Sequence, residues 1–455
     1  MKKFDWGILG VLVPLLVVLY ISFNTCYWRN SKFIIESDII SYYAYLPAIF
    51  IHQDPSLDFV DKLSFSEKEK IWYELTENNE KVIKTTMGVA YMYFPFFMLA
   101  QHYSYTSYSY PANGYTLPYR FAICMASIFY FLLALILLKK LLSKYFSGWI
   151  TFFVLTSITL GTNLLTYVTR EPGMSHCFSF FLISLYLYFI DYWLSSKKKL
   201  AFLLVVASLA LIILVRPSNG IVVLMILGYK VNNLKMLKER VELIYKDWKT
   251  LILATIVFCI ILFPQLIYWK YSSGNWIFDS YAGNEHFFFN DPMIIKGLFS
   301  YRKGWLVYSP IMVFAIVGFL LPSKKFNGIK LPIFMILLAH IYIVYSWWSW
   351  WFAGSFGSRP LIDIYPLLSI PLAYFFSFFL SKNFFIKALP IATACLLIGL
   401  SIFQNYQYRE GLIHYHGMTK KTYWGVFLKE KYPPGYWEDL DIPDYEAAKK
   451  GERDI

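Results

Sequence analysis

MGVAYMYFPFFMLAQH, residues Met87–His102, is apolar enough to cross a bilayer, and whether it does so decides the topology of the whole chain. If it crosses, the basic loop Lys139–Lys144 and every later basic loop change sides. Laid in the interface as a surface or re-entrant helix, it leaves all the lysine-rich loops together on one side. Pro95, in the middle of the stretch, favours this interfacial reading.

The surrounding sequence has the composition of a membrane protein. Of 455 residues, 58% are hydrophobic and 16% charged, less charge than a soluble chain of this length carries. Apolar runs recur at the length of about 20 residues that a helix needs to cross a bilayer. They are continuous rather than alternating, which excludes a transmembrane barrel. The fold class is therefore all-α and polytopic. Spans are expected at 5–23, 117–138, 148–167, 173–193, 199–215, 219–230, 250–269, 304–321, 331–348, 362–380 and 386–404, about eleven in all. The first span lacks a small-residue cleavage site and reads as an uncleaved anchor.

Lys2 and Lys3, Lys139–Lys144, Lys197–Lys199, Lys230–Lys249, Lys324, Lys325 and Lys330, and Lys382 and Lys387 then share one side, expected to be cytoplasmic. This accounts for a net charge of +13 without nucleic acid as a partner. The outer side receives a large loop at 24–116, a turn at 167–176, a loop at 271–303 and an aromatic loop before Ile362. The transmembrane part is read as 1–404 and the tail as 405–455, a small cap or a partly disordered segment. Cys26, Cys124, Cys177, Cys259 and Cys395 are scattered without metal-type spacing. Walker, GxSxG, HExxH and dinucleotide motifs are missing, so nothing suggests ATP hydrolysis.

Four constellations on the outer side carry candidate chemistry. In ESDIISYYAYLP, Glu36 and Asp38 stand at the head of a helix expected over Asp38–Phe50. Ile39, Tyr43, Leu46 and Phe50 form one stripe, to be buried; Asp38, Tyr42 and Tyr45 form another, to face a water-filled cavity. A charge at the membrane edge is a candidate functional group, but acids at a helix start also serve as simple caps. In TREPGMSH, Glu171 and His176 could share a divalent metal. There Arg170 could instead pair with Glu171 or Asp38. Lys84, Arg216, Arg302, Lys303 and Arg359 are basic residues on the side that disfavours them. The arginine fork suits phosphate oxygens, and snorkelling to headgroups is the plainer reading. WWSWWFAGSFG, Trp347–Gly357, suits sugar stacking or an interfacial belt, and the HYH at His414–His416 is a minimal metal-like pattern.

The order of these features resembles the GT-C superfamily of integral-membrane glycosyltransferases. An anchor span runs into a large outer loop with an acid just past the membrane. Lys84-Thr-Thr-Met-Gly precedes the interfacial helix, and LPYRFAICMASIFYFLLALILLKKLL follows, with Arg120 near its outer end. RPLIDIYPLLSIPLA is similar to that superfamily's Arg-Tyr-x-x-Pro-x-x-Pro span start. YYAYLPAIF, GTNLLTYVTREPGMSH and WWFAGSFGSRPLIDIYPLL look like a bacterial branch of it. The resemblance covers about residues 5–405 at the level of topology. The chain departs from the pattern with Glu36-Ser-Asp38 in place of a paired Asp-Glu or Asp-x-Asp, with Glu171 directly after Arg170, and with Thr-Thr after Lys84.

Better-known members are protein O-mannosyltransferases and lipid A aminoarabinose transferases, which take a sugar from a polyprenyl-phosphate carrier. The resemblance implies inverting transfer to a lipid, glycan or protein acceptor of the cell envelope, with membrane lipids as surroundings. Asp38 would be the general base and Glu36 would tune or assist it. Lys84, Arg216 and Arg359 would hold the lipid phosphate, with Tyr42 and Arg170 also on substrate. Glu171 and His176 would hold a divalent Mg, Mn or Zn ion, or position the acceptor. The alternatives are a flippase for lipid-linked glycans and a non-catalytic assembly subunit of the same fold; charges gathered at one face rather than deep in the spans favour the enzyme.

Overall fold

The computed structural model describes residues 5–64, 68–281, 285–322 and 326–453. Lys2, Lys3, Lys324 and Lys325 of the expected basic loops lie outside them. Among the described residues seven helices are long and apolar enough to cross a membrane. They are Trp6–Arg29, Leu117–Leu142, Ser175–Ser196, Trp248–Ser273, Gly328–Ser346, Arg359–Leu380 and Phe384–Arg409. Apart from them the described chain holds the 20-residue helix Gly88–Ser107, shorter helices, turns and one antiparallel strand pair, Tyr73–Leu75 with Lys81–Ile83. This is the architecture of an all-α, multi-pass membrane protein.

The remaining expected spans are short or interrupted, for local reasons. The segment expected at 148–167 stops at Leu160, because Gly161 caps it; a Cβ there would lie 2.5 Å from the Ser157 carbonyl. The chain resumes as Leu164–Thr169. The segment expected at 304–321 divides into Trp305–Tyr308 and Met312–Leu320, with Pro310 between them. Residues 217–228 are a 3₁₀ turn, Pro217–Val223, leading into Leu224–Gly228. The count of about eleven is therefore not reached by helices of spanning length.

Leu117–Leu142 shows why these runs are helical: Pro118 sits in its first turn and Lys139 and Lys140 in its last, where the helix dipole favours cations. Its far end is tied to its neighbours by one carboxylate. Asp191, buried near the end of Ser175–Ser196, meets Lys144 Nζ at 2.7 Å and Lys230 Nζ at 2.6 Å. It also accepts from the hydroxyls of Tyr145 and Tyr229. The expected clustering of basic loops is thus physical at these two lysines, which mark one end of the bundle.

The Met87–His102 stretch forms the helix Gly88–Ser107, with Pro95 inside it. Both of its ends meet the opposite end of the bundle. Gly88 lies so close to the tail of Lys199–Val215 that a Cβ would fall 2.3 Å from the Leu214 carbonyl carbon. At the other end, Gln101 accepts from the hydroxyl of Tyr119, in the first turn of Leu117–Leu142. Between these points Phe96 reaches down to Phe129 and Tyr130. Both ends of this 20-residue helix thus contact one end of the bundle, and its middle packs along Leu117–Leu142.

The last span runs on to Arg409, past the expected end at 404, and residues 410–453 fold into a cap. Leu412, Ile413, Met418, Tyr423, Val426 and Tyr436 bury themselves with Tyr308 and Phe356. Arg302 donates to the carbonyls of His416 and Asp441, and buried Lys303 to those of Ser355 and Tyr415. The aromatic loop lies beneath this cap rather than in a belt: Trp350 and Trp351 are fully buried, and Trp350 Nε1 donates to the Arg453 carbonyl.

Candidate active site

The helix Asp38–Phe50 forms where expected, but only part of the expected facing holds. Ile39, Tyr43 and Leu46 are buried, whereas Phe50 is exposed. Tyr42 and Tyr45, expected to face water, are buried too. The helix is packed on both sides: Ile39 abuts Gly173, Tyr45 packs edge-on against Tyr268, and Tyr45 donates to the Thr85 carbonyl. Asp38 alone on that face keeps access to solvent, with 30% of its side chain exposed.

Asp38 Oδ2 pairs with Arg359 Nη2 at 2.7 Å, closing a contact between residues 321 positions apart in sequence. Arg359 opens the span Arg359–Leu380 and is 92% hidden, being 8% exposed. Its Nη1 lies 3.9 Å from the Met174 sulfur, and its Nε has no partner. A buried guanidinium with unused donors is costly unless an acceptor arrives.

Beside it stands a second, fully buried carboxylate. Asp363 Oδ1 meets His176 Nδ1 at 2.8 Å, and its Oδ2 receives Arg216 Nε at 3.2 Å and Asn219 Nδ2 at 2.9 Å. Arg216 Nη1 is 3.5 Å from both His176 Nε2 and Ser175 Oγ, and Tyr42 donates to that same Oγ at 3.4 Å. Asp363 therefore fixes the orientation of Arg216 through two contacts, one direct and one by way of the imidazole. Asp38, Tyr42, His176, Arg216 and Arg359 come together at one end of the bundle, supplied by four separate segments.

The other expected residues stand around this centre. Lys84 is buried between Glu285, at 2.8 Å, and Glu74, at 3.0 Å, with Trp72 and Tyr281 against its ammonium. Burial opposes its charge, but Glu285 and Glu74 outweigh it and hold its pKa above the ordinary lysine value. Lys84 is thus committed to carboxylates rather than free for phosphate, and it joins the strand pair to the 271–303 loop. Glu36 does not line the centre through its charge; it forms an ion pair with Lys70. Arg170 donates to the Tyr408 carbonyl and lies over the Tyr408 ring, while Glu171 accepts from the Tyr408 hydroxyl at 3.0 Å. Burial raises the pKa of Glu171, against the nearby Arg359 and Arg170.

This geometry does not fit a metal at Glu171 and His176. His176 has Nδ1 on Asp363, and Arg216 occupies the approach to Nε2; a guanidinium there repels a cation. Glu171 is engaged by the hydroxyl of Tyr408, at the end of the last span. Among the described residues no group of three or more His, Cys, Asp or Glu side chains is arranged to hold a metal.

Two members of the centre escaped the sequence reading as functional residues: Asp363, which stands in the quoted RPLIDIYPLLSIPLA, and Asn219, three residues after Arg216. An acid inside an otherwise apolar run was the available signal for Asp363. Glu285 and Tyr281 carry no such signal, because only the fold brings their loop to Lys84. No protein-family model and no curated protein matches the sequence.

Proposed function

We propose that this chain is a membrane glycosyltransferase that moves a sugar from a polyprenyl-phosphate donor to a cell-envelope acceptor. The observation that carries the reading is the partly exposed carboxylate of Asp38 against a buried, incompletely satisfied Arg359, with Arg216 held alongside by Asp363. Inverting transfer needs a base for the acceptor hydroxyl or amine and positive charge for the departing phosphate. The donor phosphate takes the place of Asp38 as the partner of Arg359, and Arg216 supplies a second fork. Asp38, released from its ion pair, accepts the acceptor proton as the bond from the sugar carbon to the acceptor forms. The bond from that carbon to the phosphate oxygen breaks, and polyprenyl phosphate leaves with the electron pair. Tyr42 lies at the edge of this site through Ser175.

We read the lysine-rich end as the cytoplasmic one by the positive-inside tendency; on that reading the N-terminus is inside and the site and the cap are outside, at a bacterial cytoplasmic membrane. A second reading, a non-catalytic assembly subunit of the same fold, draws on the same ion pair: an Asp38–Arg359 contact that never opens is a clamp.

The test is release of free polyprenyl phosphate, followed by mass spectrometry, from a panel of polyprenyl-phosphate sugars and acceptors with the protein in lipid nanodiscs. The wild type releases it from one donor, and Asp38→Asn lowers the rate by about 10²–10⁴-fold while keeping its helicity. Equal rates in the two proteins reject Asp38 as base. A folded wild type inert toward every pair supports the assembly reading.

A further inference from the structure

The helix Leu234–Lys246 lies between the Asp191 cluster and the span Trp248–Ser273, and it has two faces of different character. One face packs on the bundle. Arg240 is buried there and donates to the carbonyls of Ile226 at 2.8 Å and Tyr229 at 2.9 Å, and Leu243 and Ile244 join the core. The other face carries Leu234, Val241 and Tyr245, at positions i, i+7 and i+11, which fall on one stripe of an α-helix. These residues are 82%, 43% and 54% exposed, and among the described residues nothing covers them.

Two observations identify what covers that stripe. The first is continuity with a span. Trp248, also exposed, begins Trp248–Ser273, whose Ile252, Ile256, Ile260, Phe263 and Ile267 continue outward from the protein. The stripe thus sits where that span leaves the hydrocarbon, at the level of the headgroups. The second is charge. Lys235, Lys238, Lys246 and Lys249 are all exposed on this helix and the turn after it. Lys249 lies over the Trp248 ring, 5.8 Å from its centre. Glu239 and Glu242 share the helix, with Glu242 3.4 Å from Lys246, so lysines outnumber acids around the stripe. An apolar stripe bordered by lysines, with Tyr and Trp at its span-proximal end, is the pattern of a helix lying in a membrane interface.

We propose that Leu234–Lys246 docks on a phospholipid surface bearing anionic headgroups. Leu234, Val241 and Tyr245 enter the headgroup boundary, and Lys235, Lys238, Lys246 and Lys249 meet the phosphates. The docked helix holds the Lys230 arm of the Asp191 cluster in place. This surface is independent of the transferase reading and stands whether or not the chain is an enzyme.

The experiment uses the full chain in liposomes, with Cys26, Cys259 and Cys395 replaced by alanine and a single fluorophore on Val241→Cys or, as control, Glu239→Cys. Lipids brominated near the headgroup quench the Val241 label. At low salt they do so at least about twofold more as phosphatidylglycerol than as phosphatidylcholine. That difference disappears in high salt or when the four lysines are replaced by glutamine. Aqueous iodide quenches the Glu239 label instead. Iodide quenching of the Val241 label, or protection of it from both quenchers, overturns the docking; the latter places a protein on the stripe. Equal quenching in the two lipids overturns the anionic preference.

Discussion

Asp363 and Asp191 are both buried carboxylates that gather cations, one at each end of the bundle, and they leave those cations in different states. Asp191 takes Lys144 and Lys230 directly, and two tyrosine hydroxyls complete its shell. Every group there has a partner within the protein, so the cluster pins three segments together and offers nothing to a ligand. Asp363 takes Arg216 through Nε and steadies its Nη1 through His176, leaving the rest of the fork turned outward. Next to it Arg359 keeps a buried Nε without any acceptor. A satisfied cluster is built for stability; one with spare buried donors is built for something that comes and goes.

The largest effect expected from this contrast is at Arg359. Arg359→Lys keeps a charge near Asp38 but removes the planar fork, and the apparent KM for the donor should rise on the order of 10- to 100-fold. A KM unchanged by the substitution would make the two ends alike, both structural. At the other end, Asp191→Asn leaves Lys144 and Lys230 without their counter-charge. It should lower stability by about 3 kcal/mol, read in thermal unfolding in detergent, with turnover at low temperature retained.

Between these extremes stands Lys84. Lys84→Gln should cost roughly 1–3 kcal/mol, because it strands Glu285 and Glu74. The pH dependence gives the sign. The folded pKa of Lys84 is raised, so its stabilisation is fully present below the unfolded lysine value and is lost as pH rises through the folded one. The stability gap between wild type and Lys84→Gln should therefore narrow at strongly alkaline pH. The smallest effect is at Glu171, whose pKa is raised by burial. The folded state holds this proton more tightly than the unfolded chain, so Glu171 detracts from stability above its folded pKa and not below its unfolded one. Glu171→Gln should be as stable as the wild type in acid and slightly more stable at neutral pH, as a pH series of unfolding temperatures would show.

Much of this was legible in the sequence, and the limits have physical causes. Each expected span corresponds to helical structure, because long apolar runs have little alternative in a bilayer. The breaks at Gly161 and Pro310 were harder to read, since either residue is tolerated inside a span when neighbours satisfy the freed backbone. Five expected site residues meet at one centre because charges beside spans are rare enough to be noticed individually. Their pairings were not legible. His176 was read with Glu171, its neighbour in sequence, and stands instead with Asp363, 187 residues away. Proximity along the chain was the only distance the sequence offered.

The cap has a consequence for how the chain is made. Arg302 and Lys303 are buried among carbonyls supplied largely by residues after 410, and Arg453 reaches back to Asp291 and the Ser346 and Trp347 carbonyls. During synthesis those partners emerge after the seven candidate spans, the last of which ends at Arg409. Until then two cations wait beside an unfinished site, open to water and to any quality-control protease that samples exposed loops. The segment after residue 410 is what covers these cations, so a chain truncated there should be recognisable to the cell as unfinished even with its spans in place.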